Sequence, residues 1–111
     1  MKKLKAKAPI LNSPDTIPTP CRVSPAAVLI KDELDHRGLK YGQAADAMAI
    51  PRSRLSDMFA GRKGVSADTA LRLQAYLKIP AAYLLRLQSS HDLSVAYHAK
   101  NPKILQQVEP A

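Results

Sequence analysis

Tryptophan is missing from this chain and phenylalanine occurs once, so aromatic residues fill only 5% of its 111 positions. A protein that stacks single-stranded bases on ladders of rings needs more of them. Cysteine is as scarce: Cys21 stands alone, which excludes an internal disulfide and a thiolate metal cluster and fits a reducing compartment. Four glycines leave no glycine-rich phosphate loop. No apolar run approaches the roughly 18 residues that span a bilayer. The basic opening, Met1-Lys2-Lys3-Leu4-Lys5-Ala6-Lys7, lacks the apolar stretch that would make it a secretory signal. The expectation is a cytoplasmic protein without membrane association. Acidic residues are the last shortage, nine against seventeen Lys and Arg, for a net charge of +8. Such a field favours polyanions. Nucleic acid is the leading partner class, although an acidic protein or an anionic membrane would meet the same charge.

The chain is long enough for one small domain with flanks. Residues 1–23 carry Pro9, Pro14, Pro18 and Pro20 and four early lysines with no helical periodicity, a composition that predicts a flexible basic arm. From Ser24 the pattern changes. A serine at the N-cap, Pro25 at the first helical position and Gly38 at the stop mark a helix over Pro25–Arg37, with Ala27, Ile30 and Leu34 on its core stripe. A short helix over Tyr41–Met48 turns Ala44, Ala45 and Met48 inward. Ala49-Ile50-Pro51 breaks the register, and a second short helix, Arg52–Ala60, carries Leu55, Met58 and Phe59 at i, i+3 and i+4. Ser66 caps the next helix, with Asp68 in its first turn and Ala70, Leu71, Leu73 and Leu77 on its buried side. Lys78-Ile79-Pro80 ends it. A longer helix from Ala81 to about Ala99 follows, and residues 100–111, with Pro102 and Pro110, read as a tail. No period-2 alternation occurs, so the predicted architecture is all-α: five helices over residues 24–99.

Two short helices joined by a three-residue break have the spacing of a helix-turn-helix. A small residue, Ala45, lets the second helix approach the first, and Ile50 and Leu55 pin it. At about 100° per residue, the side opposite Leu55, Met58 and Phe59 holds Ser53, Ser56, Asp57 and Ala60, flanked by Arg52 and Arg54. A helix of this kind offers its first residues to base edges in the major groove of double-stranded DNA. Arg52, Ser53, Arg54, Ser56 and Asp57 are therefore the expected base-contacting residues. Lys40 and Tyr41 at the start of the first short helix, and Arg62 and Lys63 after the second, are expected on phosphates, which position without specifying. A domain this small reads a long enough site as a homodimer on a palindromic operator, its half-sites about 34 Å apart. Leu84, Leu87, Leu93 and Tyr97 on the last helix are the expected dimerisation residues.

No catalytic residue, metal ligand or cofactor site emerges. His91 and His98 lie two turns apart without a His, Cys or carboxylate at i+4 to complete a helical chelate. Ser90, His91 and Asp92 are consecutive, so their side chains fan around a helix and cannot form a relay. The reading is of a protein that is not an enzyme.

The run Ile50-Pro51-Arg52-Ser53-Arg54-Leu55, then Ala60-Gly61-Arg62-Lys63-Gly64-Val65-Ser66-Ala67-Asp68-Thr69-Ala70-Leu71-Arg72-Leu73, then Leu85-Arg86-Leu87-Gln88 with Asp92-Leu93, resembles the HigA (VapI) group of antitoxins. These belong to the lambda-repressor-like, XRE-type helix-turn-helix regulators. The likeness covers roughly residues 27–99. It implies a dimer that binds its own promoter, represses the operon and sequesters a RelE-like ribonuclease toxin. Departures from the group's pattern are Tyr41 in place of its usual glutamine, Ala44 in place of a larger residue, Leu84 in place of a common tryptophan, and Ala49 in place of the turn glycine. That last exchange requires a turn alanine can adopt, or some strain. Two other functions stay open on the sequence: a solitary XRE-type transcriptional regulator, and a basic module that binds protein. For the arm, its lysines favour a path along DNA phosphates over docking on a toxin that is itself basic.

Overall fold

The computed structural model describes residue 17 and residues 19–111. The arm expected over residues 1–23 lies mostly outside the described residues. Among those that are described, five α-helices and no strand occur: α1 (Pro25–His36), α2 (Tyr41–Ala47), α3 (Arg52–Phe59), α4 (Ala67–Leu77) and α5 (Ala81–Gln107). The chain divides into two compact units. One is Cys21–Ser90, and the other holds His91–Ala111 together with the described residues 17, 19 and 20.

Helix starts follow the sequence. Ser24 Oγ accepts from the Ala27 N–H at 3.2 Å with Pro25 at the first position of α1, and Ser66 Oγ accepts from the Thr69 N–H at 3.2 Å to open α4. Helix ends share one device. After α1, α2 and α3 the chain closes a Schellman motif, in which the second residue past the cap donates back to the third carbonyl from the end. The bonds are Leu39 N–H to Leu34 O at 2.9 Å, Ile50 N–H to Ala45 O at 3.0 Å and Arg62 N–H to Asp57 O at 2.8 Å. Each motif needs one left-handed residue, and the three are Gly38 (φ 68°), Ala49 (φ 57°) and Gly61 (φ 80°). Ala49 therefore takes the glycine's conformation with a Cβ attached, and carries the cost that glycine avoids.

The core of the 21–90 unit is made by Ile30 and Leu34 of α1, Leu55 and Met58 of α3, Leu73 and Leu77 of α4 and Leu84 of α5, all fully buried. Each such side chain contributes about 1.5–3 kcal/mol. Ala44 and Ala45 are buried completely, and their small size brings α2 close to its neighbours. Leu71, expected inside, is instead 59% exposed. It lies about 160° around the helix from Leu73, and Thr69 occupies the inward position, its hydroxyl accepting from Ser66 Oγ at 3.1 Å.

Two further expectations change. α5 runs through Pro102 to Gln107, past the Ala99 end read from the sequence. Proline forfeits one backbone bond, and the Lys103–Gln107 segment of mostly good helix formers continues the helix beyond it. Leu84 is wholly inside the 21–90 core, so its side chain is not available to a second subunit. Leu87 is half-buried against that core, whereas Leu93 is 51% exposed and Tyr97 half-buried.

Candidate nucleic-acid interface

The local sequence holds α3 by one side only. Leu55 and Met58 are 1% exposed and Phe59 is half-buried, while Arg52, Ser53 and Ser56 face outward and are exposed. The Ala49 turn sets the direction in which the chain leaves α2, Ile50 (6% exposed) anchors it in the core, and Pro51 opens α3 without a side-chain cap. The result is a helix whose first turn carries an arginine and a serine on its open face.

The five residues expected on base edges separate into two groups. Arg52, Ser53 and Ser56 share the exposed face. Arg54 and Asp57 are half-buried and engaged with other parts of the chain. Arg54 Nη1 lies 3.5 Å from Asp68 Oδ2 on α4, and Asp57 Oδ1 accepts from Arg62 Nε at 2.8 Å. Asp68 also accepts from Arg72 Nε at 2.9 Å, while Arg72 Nη1 donates to the Met48 carbonyl at 2.9 Å. Arg72 thus ties the end of α2 to α4, and Asp68 ties α4 to α3. The bond from Arg72, helped by the charge of Arg54, holds the Asp68 carboxyl below its usual range.

Of the residues expected on phosphates, Lys40, Arg62 and Lys63 are exposed. Lys40 stands at the N-cap of α2, and the backbone N–H groups of Arg62 and Lys63 both donate to the Asp57 carbonyl, at 2.8 and 3.2 Å. Tyr41 is half-buried. Its ring meets Phe59 edge-on with centroids 5.1 Å apart, and its hydroxyl donates to Asp35 Oδ1 at 2.6 Å, which holds the Asp35 carboxyl down. Arg22 reaches the same region, donating through Nη1 to the Ala60 carbonyl beside Gly61.

Sequence reasoning missed two residues at this site, Asp46 and Gly42. Asp46 accepts from Arg52 Nη2 at 2.8 Å and from Arg52 Nε at 3.4 Å. This bond and the attraction between the two opposite charges depress the Asp46 carboxyl and raise the Arg52 guanidinium. Gly42 lies beneath the same guanidinium. An acidic residue six positions before the first arginine of the second helix was the available signal.

Elsewhere, His98 Nε2 sits 3.1 Å from the Ile17 carbonyl within the second unit. Among the described residues no group of three His, Cys, Asp or Glu could hold a metal ion, and no helix is long and apolar enough to cross a membrane.

Comparison with known proteins places this geometry. The family model described as helix-turn-helix matches residues 30–84. Virulence-associated protein I of Dichelobacter nodosus is 32% identical over 78 residues, covering 70% of this chain and 72% of that protein. Virulence-associated protein A' of the same organism is 37% identical over 68 residues, 60% of this chain and 59% of that relative's length. Among solved structures, the Pseudomonas aeruginosa antitoxin HigA with the higBA promoter aligns with a TM-score of 0.71 at 28% identity, over 81% of this chain and 98% of that one. The chain belongs to the XRE-type helix-turn-helix family, in the group that includes virulence-associated protein I and the HigA antitoxins.

Proposed function

We propose that this chain is a DNA-binding antitoxin that represses its own operon and neutralises a RelE-like ribonuclease toxin. The observation that carries the reading is the split character of α3. Leu55 and Met58 lock one side, and Arg52, Ser53 and Ser56 stand exposed on the other, as a helix entering a major groove requires. Arg52 and Ser53 contact base edges, with Arg54, Ser56 and Asp57 beside them. Lys40, Tyr41, Arg62 and Lys63 meet the flanking phosphates and fix the register. The net charge of +8 supplies the long-range attraction. The solved HigA relative with its promoter supports the same mode of binding.

On this reading the protein works as a homodimer on a palindromic site, with Leu93 and Tyr97 of α5 at the contact. Repression follows from occupying the promoter. The toxin partner rests on membership of the antitoxin group.

Two measurements test the reading. Fluorescence anisotropy with duplex from upstream of the chain's own gene, against a scrambled duplex, is expected to give tighter binding to the first by about 10³-fold or more. Equal affinity would refute sequence-specific repression. Co-expression with the product of the adjacent gene is expected to restore growth that the product alone arrests. Continued arrest would refute the antitoxin role and leave a solitary regulator.

A further inference from the structure

Arg52 is the most exposed cation at the start of α3, yet it is not loose. Its Nε and Nη2 edge is turned to the Asp46 carboxylate at 3.4 and 2.8 Å. Its flat face lies on Gly42: a Cβ there would come within 2.8 Å of Arg52 Cζ and Nη1. The carboxylate holds one edge of the guanidinium and the bare backbone supports its plane. Both supports come from α2, whose geometry relative to α3 is fixed by the Ala45–Ile50 bond and by the buried Ala44, Ala45 and Leu55.

A guanidinium has five N–H donors in a rigid fork. With Nε and one Nη2 hydrogen committed to Asp46, the end formed by Nη1 and Nη2 keeps a parallel pair of donors. That pair matches O6 and N7 of guanine, the commonest specific contact in the major groove. A mobile arginine satisfies a phosphate from many directions, whereas one held in a single rotamer and plane favours bidentate contact with a base.

We propose that Asp46 and Gly42 are positioning residues that orient Arg52 to read a guanine, making this one α2–α3 trio the specificity determinant of each half-site. The proposal rests on the reading of α3 as a DNA-recognition helix. Asp46 acts against affinity and for discrimination: its negative charge beside DNA repels every phosphate equally, while its grip on Arg52 rewards one base.

The test uses the full-length protein and a randomised 30-base-pair duplex library. The enriched site is then remade with each of the four base pairs at each position. Wild type is expected to prefer guanine at one position per half-site by roughly 5- to 140-fold, the conversion of about 1–3 kcal/mol per bidentate contact. Arg52→Ala removes that preference. Asp46→Asn is expected to reduce it to within about threefold while binding to a scrambled duplex tightens, because one repulsive charge is gone. Gly42→Ala is expected to reduce it as well, without lowering the melting temperature, since alanine suits a helix better than glycine and only the end of a flexible side chain must move. Asp46→Glu, which keeps the carboxylate, is expected to restore part of the preference.

A guanine preference unchanged in both Asp46→Asn and Gly42→Ala, though absent in Arg52→Ala, would overturn the positioning roles and leave Arg52 as a base reader. A wild-type protein that enriches no site would overturn the recognition-helix reading and this proposal together. A guanine preference that survives Arg52→Ala would assign the contact elsewhere and overturn the proposal alone.

Discussion

Gln88 on α5 accepts a hydrogen bond from the Val65 backbone N–H at 3.0 Å, with both groups buried. This bond joins the two stretches that carry the family likeness, Gly64-Val65-Ser66 and Leu85-Arg86-Leu87-Gln88. Gly64 permits it, because a Cβ there would come within 2.5 Å of Gln88 Nε2.

Gln88→Leu leaves the Val65 N–H buried without its acceptor. The expected loss is about 1–3 kcal/mol of stability, seen as a lower midpoint in thermal denaturation followed by circular dichroism. Gly64→Ala is expected to destabilise in the same direction by displacing the amide. A midpoint unchanged in both variants would show that the motif is kept for something other than this bond.

Ala49 is the exception among the three Schellman closures, holding φ 57° with a side chain where Gly38 and Gly61 have none. Ala49→Gly is expected to stabilise the fold by about 0.5–1 kcal/mol, the left-handed penalty removed outweighing the added freedom of the unfolded chain. Chemical denaturation would register it as a higher midpoint at constant slope. A decrease would mean that the turn is not strained at this residue.

The helices and their starts were legible because caps and periodicity act locally: Ser24 with Pro25, Ser66 with Asp68, and the Leu55, Met58, Phe59 row. What stayed hidden depends on partners remote in sequence or on competition for one position. Leu71 could not be separated from Leu73 without knowing that Thr69, hydrogen-bonded to Ser66, fills the inward place. Leu84 belongs to the core because it is buried in one cluster with Ile30, Leu34, Leu55, Met58, Leu73 and Leu77, most of them remote in sequence. At the site, the open row Arg52, Ser53 and Ser56 was readable from helical phase. The engagement of Arg54 with Asp68, of Asp57 with Arg62 and of Arg52 with Asp46 was not, since a string of charges does not state its pairings.

Leu84 and Leu93 now make opposite predictions although both were read as dimer contacts. Leu84→Ala removes a fully buried side chain and is expected to cost about 2–5 kcal/mol of fold stability. Leu93→Asp alters an exposed position and is expected to change stability by no more than about 0.5 kcal/mol. Light scattering should then show the wild type at twice the 12.1 kDa chain mass and Leu93→Asp shifted toward the monomer. A Leu93→Asp protein as dimeric as wild type would remove α5 from the dimer contact.

Asp68 links acid sensitivity to the α3–α4 connection. Its carboxyl is held below the ordinary value near 3.9, first by the bond from Arg72 and then by the charges of Arg72 and Arg54. A depressed folded-state value contributes stability that is present above the unfolded value and lost as pH falls through the folded one. The wild type is therefore expected to lose stability below about pH 4 more steeply than Asp68→Asn, which is already weakened at neutral pH. Melting curves across that range test this, and parallel curves for the two proteins would contradict it.

The central claim, that α3 reads sequence while the loop after it holds phosphate, is tested most directly by the affinity of Arg52→Ala and Lys63→Ala for the enriched duplex and a scrambled one across a salt series. Arg52→Ala is expected to lose about 1–3 kcal/mol on the enriched duplex and much less on the scrambled one, whereas Lys63→Ala weakens both and lowers the salt slope by about one. Equal losses for both variants on both duplexes would contradict the account.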